Sequence, residues 1–208
     1  MSAATRFRPL LIETRSADSL AWMRRDAPLR LIPFAAAVAG TWALAGRPRW
    51  LGLGRGDLAR QTAFGLGAGG ALFVGAVAVQ RLLTGRVRGS IRVPANRADA
   101  AVQAGYYALN ATVEEAFFRG LLQGGLTTVA GPAAGVVAGT SAYVLYHRLG
   151  RWSWPDVAAT ALVGVPMALA FQLLPGPASL LGVSLAHFGA TCGFLGPGPW
   201  LLRRLKLL

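Results

Sequence analysis

Val113-Glu114-Glu115-Ala116-Phe117-Phe118-Arg119-Gly120 is the stretch on which the reading of this chain turns. Two adjacent carboxylates and a guanidinium interrupt an otherwise apolar run from about Ala100 to Ala130. They include two of the chain's three glutamates, the third being Glu13. An ionised carboxylate stripped of water is costly unless a partner compensates it or the cost serves a mechanism. The rest of the sequence is therefore read as a scaffold for this octapeptide.

Composition identifies the solvent of that scaffold. The chain has 208 residues, 54% of them hydrophobic and only 14% charged, with a mean hydropathy of +0.46. Long weakly charged runs recur, the pattern of a polytopic membrane protein rather than a soluble domain. The 21 basic residues against 8 acidic ones lie mostly between the apolar runs. That placement predicts membrane topology and attraction to anionic lipid head groups, and it argues against nucleic acid as partner. The lone Cys192 excludes an intrachain disulfide and any cysteine cluster for zinc or iron–sulfur.

Six apolar runs follow one another: Leu29–Gly46, Thr62–Val79, Ala100–Gly124, Pro132–His147, Asp156–Leu174 and Ala178–Leu195. Each has about the 17–25 residues a spanning helix needs, the fourth only just. The expectation is an all-α polytopic membrane helical bundle of about six transmembrane helices. Residues 1–28 form a basic cytoplasmic tail or an interfacial helix, with amphipathic character around Leu10–Trp22. Residues 29–99 hold two transmembrane helices and a basic connector, and residues 100–208 a membrane core of four. In the second run, Gly65, Gly67, Gly69, Gly70 and Gly75 favour close helix approach. With six spans, sixteen basic residues fall on one side and four on the other, so both termini are placed in the cytoplasm. The high Gly, Ala and Arg content fits a bacterial cytoplasmic membrane.

Six polar residues within or beside these runs need explaining: Glu114, Glu115, Arg119, His147, His187 and Thr191. Both of the chain's histidines are among them, which points to function. Glu115 and Arg119 are i, i+4 with the acid first, the order that favours an ion pair. Glu114 lies about 100° round the helix from Glu115, so it is expected to face a cavity and be free for water. Tyr143 and His147 are i, i+4, as are His187 and Thr191, so each histidine has a hydrogen-bonding neighbour one turn away. With helix ends at Gly124, Pro132 and Pro177, Glu115 lies roughly 13 Å deep, His187 about 15 Å and His147 about 22 Å. The last value does not match the other two.

This set suits hydrolysis. Loss of solvation makes a carboxylate a stronger base toward water. One histidine can hold the water or shuttle its proton, while the second and a hydroxyl donate to an oxyanion. Zinc is the rival use, with Glu114, His147 and His187 as ligands and an open position for water. No His-Glu-x-x-His is present, and neither is a Gly-x-Ser-x-Gly. A proton relay in a proton-coupled carrier is the non-enzymatic alternative.

Glu114-Glu115-x-x-x-Arg119-Gly120, Tyr143-x-x-x-His147 and His187-x-x-x-Thr191, in that order, resemble the three motifs of the CPBP intramembrane proteases, a family that includes the CaaX prenyl endopeptidases and the bacterial Abi, bacteriocin-processing proteins. The resemblance covers roughly Ala100–Leu195. It implies a protease-like membrane core and a glutamate-type endopeptidase without cofactor, acting on a peptide or membrane-protein substrate. By resemblance, Glu114 and His147 position and activate water, His187 and Thr191 form the oxyanion site, and Glu115 with Arg119 supports it. Tyr143 stands where the family has phenylalanine and Thr191 where it has asparagine. The second substitution leaves open a catalytically weak or inactive relative acting as an immunity or assembly protein.

Overall fold

The computed structural model describes residues 10–86 and 90–208. Residues 1–9 of the expected tail and 87–89 of the expected basic connector lie outside the described residues. The chain is overwhelmingly helical, in keeping with a membrane bundle. Helix α1 (Ser16–Asp26) passes through a π-helical turn, Ala27–Leu31, into α2 (Ile32–Leu44) without a break. Pro28 and Pro33 lack the amide that an α-helical ladder needs, which accommodates the wider turn. A 3₁₀ turn, Arg49–Leu51, leads to α3 (Leu58–Arg86).

A two-stranded parallel sheet was not expected. β1 (Leu10–Thr14) pairs with β2 (Ser90–Pro94), Leu10 opposite Ser90 and Thr14 opposite Pro94. Part of the segment read as tail or interfacial helix is thus a strand, laid along the second basic connector. Ile91 and Val93 of β2 are buried at 3% and 0% exposure. The ribbon is tied to the next helix by a buried carboxylate. Thr14 Oγ1 donates to Asp99 Oδ2 at 2.7 Å, and Gln103 Nε2 donates to the same oxygen at 3.1 Å.

Helix α4 (Arg97–Glu115) starts at Asn96, whose Oδ1 accepts from the Asp99 amide at 2.9 Å. It continues as a nine-residue π-helix, Ala116–Gly124, and then as α5 (Gly125–Ala130). The uncharged link expected at 125–131 is therefore almost wholly helical. The chain reverses at Gly131, with φ of +86°, and Pro132 opens α6 (Pro132–Tyr146). This removes the mismatch in depth. Glu114 lies 17 residues before Gly131 and His147 lies 16 residues after it, so the two are level on antiparallel helices.

Helices α7 (Trp154–Leu173), α8 (Leu181–Phe194) and α9 (Pro197–Arg204) complete the chain. Six apolar runs predict six spans. Among the described residues, three helical stretches are long and apolar enough to cross a membrane: Ser16–Leu44, Leu58–Thr84 and Trp154–Leu173. Helix α8 is apolar but shorter, and the tract from Arg97 to Ala130 carries charges. Leu66 and Val74 on α3 and Leu162 and Leu173 on α7 stay exposed, as side chains facing lipid would.

The core joins α2, α3, the π-helix, α7 and α8 through Val38, Ala116, Met167, Val183 and Ala186, with Phe64 and Leu72 packed against them. Only part of the glycine run serves this packing. Gly65 and Gly69, one turn apart, face α8, where a β-carbon on Gly69 would lie 3.0 Å from the Leu185 carbonyl oxygen. Gly67, Gly70 and Gly75 meet open space. Gly120 on the π-helix is equally close-packed, since a β-carbon there would lie 2.6 Å from the Leu51 carbonyl oxygen. We predict that Gly69→Val lowers stability in detergent by about 1–3 kcal/mol through overpacking, while Gly70→Val changes it little. Thermal unfolding of the two purified variants tests the contrast.

Candidate active site

The octapeptide straddles the junction of α4 and the π-helix. Arg119 is wholly buried, and its Nε donates to Glu115 Oε2 at 3.2 Å. Its guanidinium carbon sits 4.9 Å from the centre of the Tyr143 ring. The ring face supplies an electrostatic partner where Nη1 and Nη2 find no hydrogen-bond acceptor. The expected i, i+4 pair therefore forms, and Tyr143 of α6 covers it.

His187 of α8 extends the network. Its Nδ1 lies 2.8 Å from Glu115 Oε1, and its Nε2 lies 3.2 Å from the Tyr143 hydroxyl and 3.7 Å from Glu114 Oε2. Glu115 thus orients the imidazole through one nitrogen and leaves the other toward Glu114. The extra hydroxyl of Tyr143, compared with phenylalanine, is the group that meets His187.

Glu114 is only 2% exposed, and it is not free as the helical offset had implied. Its Oε1 accepts from Arg30 Nη1 and from the Tyr146 hydroxyl, the latter at 3.2 Å. Arg30 sits in the π-helical turn below α2 and also binds Asp26, with Nε 3.0 Å from Oδ1. The Tyr106 hydroxyl donates to Asp26 in turn. Arg30, Asp26, Tyr106 and Tyr146 were missed from sequence. The signal was present: Arg30 opens the first apolar run with an acid four residues earlier, the same i, i+4 pattern as Glu115 and Arg119.

His147 caps the C-terminus of α6, where its Nδ1 lies 2.8 Å from the Tyr143 carbonyl oxygen. An Nδ1–H that donates to a carbonyl leaves Nε2 of the neutral ring as a lone-pair acceptor. The Trp152 ring packs 4.9 Å from the imidazole centre. Glu114, Tyr143, His147, His187 and Thr191 all line one cavity of about 670 Å³. Its other walls are largely apolar, among them Leu72, Val163 and Phe194. The structure thus brings the sequence-predicted residues around one space, with Glu115 and Arg119 supporting from behind.

Zinc fits this donor set poorly. One oxygen of Glu114 already carries an arginine and a tyrosine hydroxyl. Among the described residues, no three His, Cys, Asp or Glu side chains form a metal-binding group.

Residues 97–192 match the family model described as type II CAAX prenyl endopeptidase Rce1-like. No curated protein and no solved structure matches the chain. The matched segment runs from the start of α4 through His187 and Thr191 and does not include Arg30. Breaking the Glu115–Arg119 pair from one side should be more harmful than removing both charges. Arg119→Met is expected to cost about 3–5 kcal/mol of stability, and Arg119→Met/Glu115→Gln less, because the single change leaves a buried carboxylate without its guanidinium partner. A double-mutant cycle of thermal unfolding measures the difference.

Proposed function

From residues 97–192, which belong to the type II CAAX prenyl endopeptidase Rce1-like family, we propose that the chain is a multi-pass membrane endopeptidase of the glutamate type. The observation that supports this reading best is the convergence of Glu114, His147 and His187 on one cavity although they come from α4, the end of α6 and α8. A proton relay would instead string such groups along a path across the bilayer.

In this reading a water held between Glu114 Oε2 and His147 Nε2 attacks the peptide carbonyl carbon. Its proton passes to the glutamate as the C–O bond forms. The oxygen of the tetrahedral intermediate takes donors from the His187 ring and from the Thr191 hydroxyl. Collapse breaks the C–N bond, and the proton on Glu114 moves to the leaving amine, directly or through His147. Glu115 and Arg119 hold the His187 ring in place. No metal takes part. The apolar walls suit a peptide delivered from the membrane, and the family description directs the first assay to a prenylated peptide ending in a CAAX sequence.

Glu114→Gln or His147→Ala should reduce cleavage by at least about 10²-fold with the fold intact. Equal turnover by wild type and purified Glu114→Gln refutes the assignment. Chelation by phenanthroline should leave the rate unchanged, whereas loss of activity and its restoration by zinc would replace this mechanism with a metal-dependent one. Thr191→Asn is expected to raise kcat, because a carboxamide is the longer donor, and a single oxyanion donor typically carries about 2.7–4 kcal/mol. A second reading, a catalytically silent relative, draws on Thr191 and on the hold of Arg30 on Glu114. It predicts no hydrolysis by the wild type in any membrane-peptide library.

A further inference from the structure

Arg30 and Asp26 belong to the first helix, outside the segment that matches the family, yet both reach the cavity. The guanidinium is divided between two carboxylates. Its Nε edge is held by Asp26, one turn earlier on the same helical path, and its Nη1 reaches Glu114 Oε1. Tyr106 fixes Asp26 from α4, eight residues before Glu114 on the same helix. The bonds close a ring from α4 through Tyr106, Asp26 and Arg30 back to Glu114. Tyr146 of α6 adds a second donor to the same oxygen, Oε1. The other oxygen, Oε2, lies 3.7 Å from His187 Nε2.

A carboxylate with one oxygen fixed by a planar, braced guanidinium cannot rotate to exchange its oxygens. Resting on the hydrolytic reading above, we propose that Arg30 is a positioning residue for Glu114: it fixes Oε1 and thereby selects Oε2 as the oxygen that takes the proton from water. The first helix is then part of the catalytic apparatus. Lysine keeps the charge but not the fork, so it cannot hold Asp26 and Glu114 in one plane.

The test uses the purified full-length protein in detergent with an internally quenched prenylated peptide ending in a CAAX sequence. Arg30→Gln is expected to lower kcat about tenfold or more with KM within about threefold, since misplacing a reacting group acts on the chemical step. Arg30→Lys should recover part of kcat, and Tyr106→Phe, which loosens Asp26, should lose less than Arg30→Gln. A kcat for Arg30→Gln within about twofold of wild type overturns the proposal, as does a loss carried wholly by KM, which would make Arg30 a substrate-binding group. A second readout needs no substrate. Labelling of Glu114 by dicyclohexylcarbodiimide, followed by mass spectrometry, is expected to be about fivefold faster in Arg30→Gln, because the ion pair that shields the carboxylate is gone. Equal labelling rates overturn the clamp whatever the protein cleaves. Faster labelling in a protein that leaves the peptide intact upholds the clamp and refutes the substrate. If Arg30→Gln does not fold, Arg30→Lys takes its place in both comparisons, with slower turnover and faster labelling than wild type expected and wild-type values overturning.

Discussion

Two adjacent buried carboxylates need more compensation than one counter-ion can give, and the bundle is arranged around that constraint. The side chains of neighbouring helical residues diverge by about 100°, so Glu114 and Glu115 need partners from different directions. Glu115 is compensated from its own helical path by Arg119 and from α8 by His187. Glu114 is compensated from the first helix by Arg30 and from α6 by Tyr146. The pairings with Arg30, Tyr146 and His187 each draw a different element against α4 and the π-helix. The approach of four elements to one point follows from the cost of leaving either charge without a partner.

Close backbone packing permits that approach. Gly65 and Gly69 let α3 lie against α8, and Gly120 lets the turn at Leu51 press on the π-helix. These contacts sit behind the site and leave one side of it to the cavity. Two sets of side chains are therefore segregated: Arg119 is wholly buried, whereas Glu114, His147 and Thr191 line the open space.

Much of the helical content and most of the site residues were legible in the sequence, because hydropathy runs and i, i+4 spacing are local signals. The Glu115–Arg119 pair is the clearest case: four residues on one path brought the expected groups within 3.2 Å. Three features were not legible. The helix continues past Gly125 because the uncharged segment up to Ala130 has no breaker strong enough to stop it, and glycine alone is a weak stop within a packed bundle. The β1–β2 pairing joins five-residue segments nearly eighty residues apart, with no periodicity that names the partner. Arg30 has a local signal in Asp26 one turn earlier, but nothing in the sequence pairs it with Glu114, 84 residues away.

The β1–β2 ribbon carries a consequence for how the chain threads a bilayer. Backbone hydrogen bonds between Leu10–Thr14 and Ser90–Pro94 put both segments on the same side of any bilayer the helices span. The chain between them must then cross the membrane an even number of times. That interval holds two stretches long and apolar enough to cross a membrane, Ser16–Leu44 and Leu58–Thr84, an even number as this parity requires. Arg30 rides on the first of these. The ribbon is thus a topological clasp: it closes the helical hairpin into a loop and keeps the first helix, with its guanidinium, from leaving the bundle unless the strands part.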